Sequence, residues 1–151
     1  MRVALVVLGC LGLVIADVPA WTKCSEASDE VCSISEIRVD PCKDPNACKF
    51  KKGKQATIDI DYTPSFGGGK IKTGLFWASP NGDVPFAELN DADACQFTAC
   101  PLQANTPAQF HYGLYVGKKL PSGNYPLKWK LWNEEDRTQF CCFKMNVKLA
   151  K

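Results

Sequence analysis

The sequence predicts one all-β domain built as an antiparallel sandwich or barrel, and three observations support this. Several segments alternate apolar and polar residues with a period of two, which is the pattern of a half-buried strand. Groups of Gly, Pro, Asn and Asp residues separate these segments. Nine cysteines, eight of them beyond Cys10, can cross-link a small domain. Short strands at this spacing are typical of sandwiches and barrels.

The predicted strands follow one another along the chain. Two weaker candidates cover residues 35–40 and 70–78, and four clear ones cover residues 56–62, 110–116, 125–131 and 141–149. Turns are predicted at residues 67–69, 80–82, 121–123 and 133–136. No segment shows a helical period, an internal repeat or a low-complexity composition, so one domain is expected.

The first 16 residues have the organisation of a secretory signal peptide. Arg2 precedes an apolar run over residues 3–15, and Val14 and Ala16 stand at the small-residue positions of a cleavage site. A membrane-spanning helix needs about 20 apolar residues, so this run is too short for an anchor. We therefore expect residues 1–16 to be a signal peptide, residues 17–151 to be the mature domain, and the protein to be secreted.

The charge balance excludes some classes of partner. Removing Arg2 from the 18 basic residues leaves 17 against 16 acidic residues, a net charge of +1. Nucleic-acid-binding domains usually carry a strongly basic patch or stripe. The sequence suggests neither such a patch nor a polybasic membrane anchor, so no nucleic-acid partner is expected.

The eight cysteines of the mature chain are expected to form disulfides, since an even number is typical of secreted domains. Their spacings do not suit zinc, and His111 is the sole histidine, so no metal site is predicted. The pairs close enough in sequence to close short loops are Cys42 with Cys48 and Cys95 with Cys100. Bridges that would tie the first strand to the last can join Cys24 and Cys32 to Cys141 and Cys142.

The sequence shows no catalytic motif, and the protein is predicted not to be an enzyme. His111 falls on the polar side of its strand, and there is no Gly-x-Ser-x-Gly motif of a serine hydrolase. Asp91 and Asp93 lie in a loop, where solvated carboxylates are far commoner than a glycosidase pair. No cofactor is implied.

Aromatic residues account for 11% of the chain, and Phe86 follows Pro85 in a segment that leads to a disulfide loop. Such a side chain either packs in a filled core, which is the commoner case, or lines an opening between two separated sheets. The alternation of apolar residues is the same in both cases, so the residues alone leave both alternatives open.

Short motifs spread over the mature chain connect it with a known family. They are Asp40-Pro41-Cys42, Val84-Pro85-Phe86, Cys100-Pro101-Leu102, Lys128-Trp129-Lys130-Leu131 and Phe140-Cys141. In this order and spacing they resemble the ML (MD-2-related lipid-recognition) domain family, and most closely its secreted Niemann-Pick type C2-like members. The resemblance implies an immunoglobulin-like antiparallel sandwich of about seven strands with a lipid cavity between the sheets.

The function that the resemblance implies is that of a secreted carrier. It would hold a sterol, a fatty acid or another small hydrophobic ligand for transport or transfer. The alternative is an innate-immune protein that presents microbial lipid to a receptor. The implied partners are the ligand and a transient membrane or receptor contact, and a monomer is expected.

The resemblance also assigns residues to the cavity. The positions that match the cavity mouth are Phe86, Val116, Leu120 and Pro121, with Phe76 close to it. The positions that match the wall are Trp129 and Leu131. The residues with inward parity on a facing strand, which would complete the wall, are Tyr62, Ile58 and Ile60.

The disulfide pattern of the family has to be extended for this chain. Family members usually link the first of six cysteines to the last, the second to the third and the fourth to the fifth. Two more cysteines are present here, Cys32 and Cys142, so a second bridge between the same strands is expected. We favour Cys24 bonded to Cys141 and Cys32 to Cys142, with the crossed pairing as the alternative. Since neighbouring strand residues face opposite sides, the bridge of Cys142 is expected to be exposed.

Overall fold

The computed structural model describes residues 18–151. The predicted signal peptide, residues 1–16, and Asp17, the predicted first residue of the mature domain, lie outside the described residues. Across residues 18–151, no helix has the length and apolar character required to cross a membrane. The helices present there are two short 3₁₀ helices, Ala87–Leu89 and Ala94–Gln96.

Ten strands in this part of the chain form two sheets. In chain order they are β1 (Trp21–Lys23), β2 (Cys32–Asp40), β3 (Cys48–Lys51), β4 (Gln55–Pro64), β5 (Ile71–Trp77), β6 (Val84–Pro85), β7 (Ala92–Asp93), β8 (Ala108–Tyr115), β9 (Gly123–Asn133) and β10 (Phe140–Ala150). The larger sheet has the order β1-β10-β9-β5-β6, with β3 paired to β10 and β7 paired to β5. The smaller sheet has the order β2-β4-β8. The predicted all-β sandwich is confirmed.

All six predicted strands are present, including the two weaker candidates, which correspond to β2 and β5. Nearly all strand pairs are antiparallel, as expected, but β3 pairs with β10 in the parallel direction. β3 has only four residues and was not predicted, because an alternation that short carries no usable signal. The three shortest strands, β1, β6 and β7, were missed for the same reason.

Large apolar side chains fill the interior between the sheets. β4 contributes alternate residues, and β9 contributes Leu127, Trp129 and Leu131, all of them buried. The ring of Trp129 lies 6.2 Å from that of Tyr62, 5.1 Å from that of Phe110 and 5.6 Å from that of Phe143, measured between centroids. Burial of each such side chain stabilises the fold by about 1.5–3 kcal/mol. The interior is therefore packed around Trp129, and the cavity between the sheets stays a prediction.

The four disulfides correct one prediction and confirm the two short loops. Cys42 is bonded to Cys48, and Cys95 is bonded to Cys100. The remaining bridges are Cys24 to Cys142 and Cys32 to Cys141. The favoured pairing was therefore wrong and the crossed pairing is right. The reason is topological: Cys32 begins β2 in the smaller sheet and faces the inward Cys141 of the larger sheet, whereas Cys24 follows β1 of the larger sheet itself.

The bridge of Cys142 is also less exposed than predicted. Cys142 does have outward parity, because it is paired with Lys130 on β9. However, both Cys24 and Cys142 are only 1% exposed, since residues 24–26 cross over the outer face of the sheet. This segment is held by Glu26, whose carboxylate accepts a hydrogen bond from Lys128 Nζ at 2.6 Å. That interaction lowers the pKa of Glu26 to about 2.

Candidate functional site

One corner of the sandwich carries large apolar side chains that are only partly buried. β5 ends there with Trp77, and β9 begins there, with Tyr125 as its third residue. Phe86 precedes the first 3₁₀ helix, and Leu120 lies in the loop between β8 and β9. All four side chains pack against the buried core while remaining partly exposed. We call these four residues the apolar corner.

Ring contacts and backbone hydrogen bonds fix the geometry of the apolar corner. The ring of Trp77 lies 4.5 Å from that of Phe86 and 5.1 Å from that of Tyr125, measured between centroids. Phe86 is positioned by its N–H, which donates to Leu75 O at 2.8 Å. The hydroxyl of Tyr125 donates to Pro121 O at 3.2 Å and so joins β9 to the preceding loop. The result is an aromatic cluster that bridges the loop, the sheet and the 3₁₀ helix.

The four residues predicted at the mouth lie on the segments that form this corner. Phe86 and Leu120 belong to it directly. Pro121 is exposed, and it contributes its carbonyl oxygen rather than its ring. Val116 is buried at the end of β8, where its N–H donates to Lys54 O and its carbonyl accepts from Gly53 N–H. Their role in binding a ligand is not tested by this geometry and stays a prediction.

Phe76 faces the outer side of the larger sheet, and its predicted place near the mouth stays a prediction. It is paired with Lys128 on β9, and Lys128 and Lys130 point to the outer side of the larger sheet. The ring of Phe76 covers Gly74 there, since a Cβ at Gly74 would come within 2.7 Å of it. Phe76 lines a small outer cavity of about 190 Å³ together with Lys130, Trp132 and Arg137.

The predicted wall residues lie deeper between the sheets. Trp129, Leu131, Tyr62, Ile58 and Ile60 are all at most 2% exposed. Ile58 is paired with Tyr112 on β8, and Ile60 is paired with Phe110. These positions agree with the predicted inward parity, although the side chains contact one another rather than an open space.

Two polar groups lie within this apolar interior. The indole Nε1 of Trp129 is buried and has no hydrogen-bond partner in the described residues. The hydroxyl of Tyr62 is 2.9 Å from Thr98 Oγ1, and burial raises the pKa of Tyr62. A buried donor without a partner costs about 1–3 kcal/mol. An acceptor oxygen brought into the interior would therefore be stabilised at Trp129.

Sequence reasoning missed Trp77, Tyr125 and Val84. Trp77 shares inward parity with Leu75, and Tyr125 shares it with Trp129, so the alternation already contained the signal. Val84 is paired with Trp77 and is 55% exposed, an unusual state for a valine on a strand. Its exposure depends on the neighbouring loops, and the sequence pattern does not show it.

Two other cavities open on the surface. One of about 700 Å³ lies beside Val116 and is lined by Lys43, Lys49, Lys51 and Lys54 with Phe50 and Ala56. Another of about 1030 Å³ lies between the outer face of the smaller sheet and the loop that contains the Cys95 to Cys100 bridge. Its lining includes Tyr62 and Thr98, at the end of β8 opposite the apolar corner.

The comparisons with known proteins agree with the fold. The ML domain family matches residues 19–149. The MD-2-related lipid-recognition protein of Manduca sexta is 43% identical over 148 residues, which cover 97% of this chain and 96% of that protein. NPC intracellular cholesterol transporter 2 of Sus scrofa is 28% identical over 112 residues, which cover 72% of each.

A solved structure is also similar. The crystal structure of a Niemann-Pick type C2 protein from Japanese carpenter ant has a TM-score of 0.74 and 22% identity, covering 87% of this chain and 99% of that one. This likeness shows that the two-sheet fold is shared. Together with the family match over residues 19–149 and the relative of nearly equal extent, it establishes that the chain belongs to the ML domain family of lipid-recognition proteins.

Proposed function

We propose that this protein is a secreted carrier that holds one small hydrophobic molecule, of the sterol or fatty-acid class, between its two sheets. The observation that carries the proposal is the apolar corner, where four large side chains are partly exposed and continuous with the buried interior. Contiguous exposed apolar groups commonly mark a binding site. The names of the Manduca and Sus relatives, which refer to lipid recognition and cholesterol transport, support the same class of ligand.

Entry of the ligand requires the aromatic contacts to rearrange. Trp77, Phe86 and Tyr125 close the corner, and Trp129 fills the space behind them. A ligand chain would replace these contacts with its own, and release of water from its apolar surface supplies about 25 cal/mol per Å². Trp129 Nε1 would gain an acceptor if the inserted part of the ligand carried an oxygen atom.

Secretion is part of the proposal. Four disulfides persist most readily in an oxidising compartment, and the predicted signal peptide supplies a route to it. The function is one of binding and release, carried by apolar surface rather than by reacting groups.

The first test is direct ligand binding. A fluorescent fatty acid and a fluorescent sterol are titrated into the purified protein, and organic extracts of the native protein are analysed by mass spectrometry. We expect one-to-one binding of at least one probe, with quenching of tryptophan fluorescence, because Trp77 and Trp129 lie along the proposed path. Absence of probe binding together with extracts free of lipid would contradict the carrier function.

A charge at the corner provides the sharper version of this test. Phe86→Asp leaves the carboxylate partly solvated in the free protein, but a bound ligand would cover it, and burying an unpaired charge is costly. We expect the affinity to fall at least tenfold with little change in the melting temperature. The matched control is Tyr115→Asp, because Tyr115 is 41% exposed and points outward from β8. Equal losses in both variants would show that Phe86 is not at the binding site.

A further inference from the structure

The outer face of the larger sheet carries lysines on each of its strands of four or more residues. At the outward positions of β3, β5, β9 and β10 the charged residues are Lys49, Lys51, Lys72, Lys128, Lys130, Lys144 and Lys148. On the short strand β7, Asp93 is paired with Lys72, and its carboxylate accepts a hydrogen bond from Cys95 N–H. We call these seven lysines the lysine face.

This face concentrates the positive charge of the molecule. Residues 18–151 lack Arg2 and Asp17, which leaves 17 basic and 15 acidic residues and a net charge of +2. Three acids lie among the seven lysines: Asp93, and also Glu26 and Asp83, which both bind Lys128. The lysines and these acids together have a net charge of +4. The rest of the described chain therefore has a net charge of −2, so the excess positive charge lies on the lysine face.

Most of these cations form no ion pair within residues 18–151. Of the seven, only Lys128 forms an ion pair with another part of the described chain. Lys144 lies directly opposite Lys128, an arrangement of like charges that destabilises an antiparallel pair. Burial and the nearby Lys128 lower the pKa of Lys130. Glu26 and Asp83 offset this repulsion at Lys128, which leaves the other six lysines of the face for a bound anion.

A small outer cavity adds a second feature to the lysine face. It measures about 190 Å³, and its lining includes Lys130, Trp132 and Arg137. Lys130 lies 4.0 Å from the centroid of the Phe140 ring, which fixes the ammonium group at this place. Trp132 is only 7% exposed, and its Nε1 is buried without a hydrogen-bond partner in the described residues. Two cations that line one cavity favour an anionic group there.

We infer that the lysine face binds a linear polyanion, of the chemical class of a sulfated polysaccharide. Lysines are neighbours across strands about 4.8 Å apart at two places, Lys49 beside Lys148 and Lys128 beside Lys144. A chain of anionic groups laid along β10 therefore meets Lys148 and Lys144 in turn. A membrane surface fits less well, because the most exposed large apolar residues of the described chain, Val18, Val84 and Tyr115, are not outward residues of this face. The inference does not depend on lipid binding.

The test measures affinity for a short heparin oligosaccharide over a series of salt concentrations. The variant Lys49→Gln, Lys144→Gln and Lys148→Gln removes three charges from the lysine face. The matched control Lys118→Gln, Lys119→Gln and Lys151→Gln removes three exposed lysines that lie outside it. Each neutralised anionic group contributes about 0.7–0.9 to the slope of log affinity against log salt in polyelectrolyte binding. We therefore expect the slope to fall by about two in the first variant, and affinity at about 0.15 M salt to fall at least tenfold.

Two results would overturn the inference. Equal losses in both triple variants would mean that heparin responds to net charge alone. Stronger binding to vesicles containing anionic lipid than to heparin, with the same dependence on the lysine face, would identify a membrane surface instead. A second variant, Lys72→Gln with Lys130→Gln, tests the other end of the face, and far-ultraviolet circular dichroism checks that each variant is folded.

Discussion

Adjacent residues with similar side chains can have different roles when they lie on a strand. Phe76 and Trp77 are both large and aromatic, and the family resemblance selected Phe76. The register of β5 turns Phe76 toward the outer cations and Trp77 toward Phe86 and Tyr125. Parity with the buried Leu75 assigns Trp77 to the inward face of β5. At this scale the alternation of residues tells which of two neighbours faces the interior, and the binding role of either one stays a prediction.

This difference gives a paired prediction. Trp77→Ala removes an aromatic ring from the proposed entrance, and a large apolar side chain contributes about 1.5–3 kcal/mol when it is covered. We expect the affinity for a fluorescent fatty acid to fall by about tenfold to a hundredfold. Phe76→Ala, which alters only the outer face, is expected to change it less than twofold. The opposite order of the two effects would restore Phe76 to the site.

At the scale of elements, the sequence predicted which way each long strand faces but not what covers it. The alternation placed Cys142 on the outer side of β10, and the structure agrees. The segment over residues 24–26 then covers that position, because Lys128 binds Glu26 from one side and Asp83 from the other. Contacts between residues 102 positions apart leave no local pattern, so the exposure of the bridge was predicted wrongly.

The ion pair of Glu26 with Lys128 makes stability depend on pH. The pKa of Glu26 falls from 4.5 to about 2 in the folded protein, chiefly through the hydrogen bond from Lys128. A carboxyl group whose pKa is lowered by folding stabilises the protein at pH values above its pKa in the unfolded state. That stabilisation is lost as the pH falls through its pKa in the folded state. The stabilisation is therefore complete above about pH 5 and is lost near pH 2.

Glu26→Gln should remove this dependence. Because the Glu26 side chain is 43% exposed, we expect a loss of less than about 1 kcal/mol in the free energy of unfolding at pH 7. The difference from the wild-type protein should disappear near pH 2. Urea denaturation at both pH values measures it, with Glu30→Gln at an exposed position as the control. A difference that persists at pH 2 would assign the effect to something other than the ion pair.

For the whole molecule, the two long disulfides act as one constraint. Cys24 to Cys142 and Cys32 to Cys141 span 118 and 109 residues and end on neighbouring residues of β10. Either bridge alone closes nearly the same long loop of the unfolded chain. Once that loop is closed, the second bridge closes only a short additional loop. In the chain-entropy treatment a long loop stabilises by about 5 kcal/mol and a loop of about ten residues by about 2.5 kcal/mol.

The predicted consequence is strong non-additivity. Replacing Cys24 and Cys142 by Ser, or Cys32 and Cys141 by Ser, should each cost about 2–3 kcal/mol. Replacing all four should cost about 7 kcal/mol, more than the two separate losses together. Denaturant unfolding of the three variants and the wild-type protein measures the coupling. Additive losses would show that the two bridges constrain different parts of the unfolded chain.

The sandwich was predictable from the sequence as a whole, whereas the state of its interior was not. Alternation over β4, β8, β9 and β10 is long enough to define strands with one buried face each. Whether two buried faces touch depends on which side chains meet across the gap. The contact of Trp129 with Tyr62 and Phe110 joins strands from different sheets, and only the three-dimensional structure shows it.

The position of the cross-links dictates how the two sheets can separate. β2 is joined to the larger sheet at both of its ends, through Cys32 with Cys141 and, just beyond Asp40, through Cys42 with Cys48. At the other edge of the smaller sheet, β8 is held at His111, whose N–H donates to Phe97 O, and the residues beyond β8 lead to Leu120. We therefore expect the smaller sheet to turn about β2, with β8 about 10 Å away from it. A rotation of about 20° about that axis would move the C-terminal end of β8 by about 3 Å while all four bridges stay intact.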